Sequence, residues 1–202
     1  MKKTGIALVC LLAVVIGYYL MSSSHDIRNA DSKGRTIVCF GDSLTFGTGA
    51  DKGQDYPARL SAMIGRPVVN LGIPGDTTAG ALARIDTVLE KDPQMVLLTI
   101  GGNDLKNRVP KETAFHNLAA IIEKIQARGA LVVIGGIDIP FYGRGFGTAY
   151  EELAVQTGSV LIPNVYSGIM GRASLMSDPI HPNSDGYAVL ADHFYRAIKP
   201  YL

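Results

Sequence analysis

The sequence predicts an α/β domain built on a parallel sheet with helices on both faces. Five short apolar runs are spread along the chain: Thr36–Phe40, Pro67–Leu71, Met95–Ile100, Ala130–Ile134 and Val160–Pro163. They are continuous rather than alternating, which suits strands buried on both faces. The stretches between them carry helical periodicity, and strand–helix–strand repetition argues for a parallel sheet with right-handed crossovers.

Taken in order, the first run ends in Gly41-Asp42-Ser43-Leu44, so a strand delivers a serine at its carboxyl end. Tyr56 to Ile64 is a short helical segment. The second run leads into Asn70-Leu71-Gly72. Leu82, Ile85 and Leu89 then recur at helical spacing after the cap signal Asp76-Thr77, predicting one helix. The third run leads into the turn-rich Gly101-Gly102-Asn103-Asp104. Phe115, Leu118, Ile122 and Ile125 follow at three- and four-residue spacing, with Gly129 as the stop. After the fourth run, Gly143-Arg144-Gly145-Phe146-Gly147 reads as a mobile loop. It lacks the Lys and Ser/Thr of a phosphate loop and the spacing of a dinucleotide fingerprint. Tyr150 to Gln156 is another short helix. Pro182 opens a last helix through Ala188, Leu190, Phe194 and Ile198, and Pro200 closes it.

The chain has 202 residues, of which 47% are hydrophobic, and a formal net charge of +1. That length suits one domain with a full core, placed at 36–202. The polar stretch 25–35 reads as a tether. Residues 1–24 read as a signal peptide or an uncleaved membrane anchor. Lys2 and Lys3 precede an uncharged run from Thr4 to Met21, near the lower length limit of a bilayer span. The lysines place the amino terminus in the cytoplasm and the domain outside it. Val9 is too bulky to precede a lipoprotein cysteine, so Cys10 is not read as a lipidation site. Cleavage would leave Cys39 alone, so no internal disulfide is expected; Cys39 reads as a buried strand residue. No basic tract points to nucleic acid, and no zinc spacing or paired carboxylates point to a metal; no cofactor is expected.

The chemistry gathers at the carboxyl ends of the first three strands, where ligands bind in such sheets. A serine hydroxyl needs a base to become a nucleophile. His181 is the base candidate for Ser43, and Asp178, three residues earlier, orients the imidazole and stabilises its protonated form. His25, His116 and His193 read as solvated or packed. Attack on an ester carbonyl creates an oxyanion that preorganised donors must meet. The amides of Ser43 and Gly72 and the side-chain amide of Asn103 are the candidates. Asp42 and Asp104 read as turn-holding residues. Ile73, Pro74, Leu105, Ile139, Pro140, Phe141 and Ile180 are apolar residues near this constellation and suit an acyl pocket.

Gly41-Asp42-Ser43-Leu44, Gly72, Asn103 and Asp178-Pro179-Ile180-His181 together resemble the four blocks of the SGNH, or GDSL, hydrolase family, nearest its bacterial periplasmic thioesterase, lysophospholipase and arylesterase group. The resemblance runs from about Thr36 to the end of the chain. It implies a flavodoxin-like three-layer α/β/α sandwich with a five-stranded parallel sheet. It also implies Ser43 as nucleophile, His181 as base, Asp178 as its partner, and Ser43, Gly72 and Asn103 as oxyanion donors. The expected substrate is a small acyl ester, thioester or lysophospholipid, met in the periplasm, with the membrane as a partner if the amino-terminal segment stays. An O-deacetylase of envelope polysaccharide is the alternative; the absence of Trp counts against it. A non-catalytic envelope binding module would not require His181 beside Ser43.

Overall fold

The computed structural model describes residues 26–139, 143 and 145–202. The expected export segment 1–24 and the pocket candidates Pro140 and Phe141 lie outside the described residues.

Strands β1 (Thr36–Gly41), β2 (Val68–Gly72), β3 (Pro93–Thr99), β4 (Leu131–Gly135) and β5 (Val160–Ile162) form one parallel sheet of order β2-β1-β3-β4-β5. Each apolar run therefore became a strand. Burial on both faces holds only inside the sheet. Every residue of β4 and nearly every residue of β1 and β3 is buried, whereas no residue of the edge strand β2 is. An edge strand exposes one flank whatever its composition. From β1 the chain first moves outward to β2, then returns to the other side of β1 as β3. That reversal opens a crevice at the carboxyl ends of β1 and β3.

Helices cover both faces. On one, α2 (Tyr56–Ile64) packs against α8 (Ser184–Ile198), and Tyr56 stacks on Phe194 with ring centroids 4.6 Å apart. On the other, α3 (Thr78–Ala83) and α7 (Phe146–Thr157) flank α6 (Lys111–Ala127), with Phe115, Phe146 and Tyr150 in edge-to-face contact. Asp55, Thr77 and Asn183 cap α2, α3 and α8 by accepting amide hydrogen bonds from Ala58, Gly80 and Gly186. The short helices α1 (Ser43–Phe46) and α5 (Gly102–Lys106) follow β1 and β3 directly.

Three local expectations are corrected. The single helix expected through Leu82, Ile85 and Leu89 is two, α3 and α4 (Asp86–Leu89). They part at Arg84, whose side chain is drawn inward to backbone carbonyls at the sheet edge. The glycine-rich stretch after β4 is not all loop. Gly145, at φ 78°, precedes α7, and Phe146 and Gly147 form its first turn. Phe146 is buried, so the helix begins where a large apolar side chain reaches the core. The last α-helix ends at Ile198, ahead of Pro200 as expected, and Pro200 lies in the 3-10 turn Lys199–Tyr201, which tolerates proline in its first turn. Finally, the described part of the tether is docked. The Asn29 side-chain amide donates to the carbonyls of Gln126 and Ala130, the Arg28 amide donates to the Gly158 carbonyl, and Ile27 packs on the core.

Candidate active site

Ser43 is the first residue of α1. β1 turns into helix within one residue because the Asp42 carboxylate accepts the Leu44 amide at 3.0 Å. The turn is also tied to β3, since the Asp42 amide donates to the Thr99 carbonyl. Ser43 thus stands at the carboxyl edge with its own amide at a helix start. No partner for that amide is found among the described residues.

His181 Nε2 lies 3.0 Å from Ser43 Oγ, and His181 Nδ1 lies 2.7 Å from Asp178 Oδ2. The other carboxylate oxygen of Asp178 accepts the backbone amides of Ile180 and His181, which closes a tight turn. Two further bonds fix this turn: Tyr166 donates its hydroxyl to the Ile180 carbonyl, and the Ser177 amide donates to that of His181. The hydrogen bond to His181 and those two amides hold the Asp178 carboxyl down at about 2. The carboxylate form is what an imidazole needs opposite its protonated ring nitrogen.

Asn103, in the first turn of α5, donates its side-chain amide to the Asp76 carbonyl at 2.8 Å and approaches Asp42 Oδ2 at 3.4 Å. Asp42 holds a turn, as expected, whereas Asp104 ties two helices instead. Asp104 takes both the amide and the hydroxyl of Thr78, joining α5 to α3. Burial is the main force that raises the Asp42 carboxyl to about 7; Asp76 and Asp104 add to it, and the Leu44 amide opposes it. Cys39 is fully buried in β1, and burial pushes its thiol far up.

The expectation for Gly72 needs correction. Its single amide hydrogen goes to the Asn70 side chain at 2.9 Å and is therefore committed, whereas Asn103 has a second N–H held only by the 3.4 Å approach to Asp42. Gly72 serves close packing instead, because a Cβ there would collide with the backbone of Thr45 and Phe46. The loop beyond it holds a second glycine that the sequence analysis did not single out. Gly75 sits at φ 82°, immediately before the Asp76 that anchors Asn103. No partner for its amide is found among the described residues. The only sequence signal was its place in Pro74-Gly75-Asp76, a turn composition.

A cavity of about 270 Å³ opens beside Ser43, Asn103 and His181, with Leu44, Leu105, Ile137, Ile139, Tyr166 and Ile180 among its walls. Leu105, Ile139 and Ile180 are where they were expected. Ile73 and Pro74 are not. Neither lines the cavity, and both are exposed. Leu44, Ile137 and Tyr166 were missed because nothing local marks them. Among the described residues, no group of His, Cys, Asp and Glu is placed to hold a metal.

The model of the GDSL-like lipase/acylhydrolase family matches residues 39–189. The esterase TesA of Pseudomonas aeruginosa is 33% identical over 181 residues, covering 83% of this chain and 90% of that protein. Thioesterase 1/protease 1/lysophospholipase L1 of Escherichia coli is 31% identical over 175 residues, covering 82% and 84%. The crystal structure of TesA superposes with a TM-score of 0.78 over 83% of this chain and 100% of that one, at 33% identity.

Asp42 supplies a test of this electrostatic arrangement. Its carboxyl rises from 3.8 to about 7 on folding, so the folded state binds the extra proton between those values. Stability from this group is present below 3.8 and is lost as pH rises through about 7. Thermal unfolding should therefore show wild type losing ground to Asp42→Asn as pH is raised across that window. A difference constant with pH would mean that Asp42 is ionised throughout.

Proposed function

This chain belongs to the GDSL-like lipase/acylhydrolase family, and from that premise we propose that it hydrolyses carboxylic esters and thioesters through a Ser43–His181–Asp178 triad. The 3.0 Å contact of His181 Nε2 with Ser43 Oγ, at the mouth of an apolar cavity, carries the reading. As Ser43 Oγ bonds to the substrate carbonyl carbon, its proton passes to His181 Nε2. Asp178 stabilises the imidazolium through Nδ1. The carbonyl oxygen takes the displaced electron pair and faces the amide of Ser43 and the side chain of Asn103, with the Gly75 amide in the place first assigned to Gly72. Collapse of the tetrahedral species breaks the bond to the leaving alcohol or thiol, which receives the proton from His181. Water repeats the sequence on the acyl-serine, giving the acid and free Ser43.

The cavity walls favour an acyl chain over an acetylated sugar, because they offer apolar surface rather than hydrogen-bonding partners. Aryl esters, acyl thioesters and lysophospholipids all present such a chain. Lys2, Lys3 and the uncharged run to Met21 support an exported, periplasmic enzyme, anchored or released according to cleavage. Mass measurement of the native amino terminus distinguishes the two, and a cytoplasmic protein starting at Met1 would exclude both.

Ser43→Ala or His181→Ala should lower kcat on an aryl ester on the order of a millionfold. Asp178→Asn should cost roughly ten-thousandfold. Full activity in Ser43→Ala would end the reading, and fluorophosphonate labelling of Ser43 in wild type would support it.

Each methylene buried in the cavity contributes ~0.8 kcal/mol. Across a graded series of aryl esters, kcat/KM should rise with acyl length and then level off. Ile139→Trp should move that break to a shorter chain. Equal activity from acetyl upward, unchanged by Ile139→Trp, would remove the acyl assignment of the cavity.

A further inference from the structure

Arg84 was assigned no part in the reaction, yet it is the best-connected cation among the described residues. It sits between α3 and α4 with its side chain only 18% exposed. Nε and Nη2 reach Asp76 Oδ2 at 2.8 and 2.7 Å. Nη1 donates to the Leu71 carbonyl at 2.9 Å and Nη2 to the Gly41 carbonyl at 3.0 Å. The guanidinium also lies over the Phe40 ring, 4.3 Å from its centroid.

These contacts share a destination. Gly41 is the last residue of β1 before Asp42-Ser43, and Leu71 lies at the end of β2. Asp76 belongs to the loop of Gly75, and its carbonyl receives the side-chain amide of Asn103. One guanidinium therefore ties the strand end before Ser43 to the loop of Gly75 and Asp76, and it reaches Asn103 through the Asp76 carbonyl. We propose that Arg84, with Asp76, is a positioning residue that sets the oxyanion donors of Ser43, Gly75 and Asn103 relative to one another. The inference rests on the esterase reading above.

The chemistry explains why arginine stands there. Two carbonyls and a carboxylate around one point need several donors in a fixed plane, which guanidinium has and ammonium lacks. Packing alone would be met by an apolar side chain over Phe40, without the break between α3 and α4. Oxyanion donors act through preorganisation, and displacements well under an ångström weaken them. An effect on transition-state stabilisation, with little on substrate binding, is what separates positioning from a general structural role.

The test compares wild type, Arg84→Ala and Arg84→Lys on one aryl ester, with circular dichroism as the check on folding. Arg84→Ala should lower kcat ~100-fold, comparable with losing one donor, and leave KM within about threefold. Fluorophosphonate labelling of Ser43 should slow in parallel, because the phosphoryl oxygen gathers negative charge on the same donors as phosphorus is attacked. Arg84→Lys keeps the charge without the planar fork, so its kcat should lie between the two, roughly tenfold below wild type. Should Arg84→Ala fail to fold, Arg84→Lys decides the matter by the same measurements. A folded variant with wild-type kcat, or a loss confined to KM, overturns the proposal. Absence of ester hydrolysis in wild type would instead overturn the esterase reading.

Discussion

A buried strand that becomes a helix within one residue is the constraint on which the site depends. β1 ends at Gly41, and α1 begins at Ser43. Between them Asp42 both caps the helix and hydrogen-bonds the neighbouring strand. A longer connection would leave Ser43 on a loop free to wander; here its position is inherited from the sheet. The surroundings reinforce this. The Tyr56 hydroxyl bridges Thr45 in α1 and Thr99 at the end of β3, and Tyr187 of α8 donates to the Thr48 carbonyl just past α1. Ser43 is thereby referenced to two strands and to a helix layer before any substrate arrives.

This arrangement places acid groups where water is scarce. Asp42 and Asp104 are almost wholly buried, and Asp76 nearly so. Arg84 is the cation paired with Asp76, while Asp104 is satisfied by Thr78 and Asp42 by the Leu44 amide. Each carboxyl thus uses hydrogen bonds to compensate lost hydration.

The sheet was legible because five apolar runs at spaced intervals can be buried in few other ways. The grouping of Ser43, Asp178 and His181 was legible because its residue types mean little apart from one another. What escaped the sequence depended on side chains reaching across the fold. Leu82, Ile85 and Leu89 keep helical spacing straight through a break, since periodicity does not register the inward turn of Arg84. Gly72 and Gly75 look alike in one dimension. Only the Asn70 side chain and the approach of α1 show that Gly72 is committed to packing. Ile73 and Pro74 lie close to the site along the chain, yet both are exposed and neither lines the cavity.

The proposed base and its carboxylate are made within four consecutive residues, and Ser177 to Ile180 are all exposed. Their mutual geometry belongs to a surface turn, held by a few hydrogen bonds, while that of Ser43 belongs to the core. The two halves of the site therefore rest on different supports. Local opening of such a segment requires far less free energy than global unfolding. Warming should silence the enzyme reversibly while helical circular dichroism persists. The thermal ceiling for turnover is then a property of one short turn, adjustable without touching the sheet.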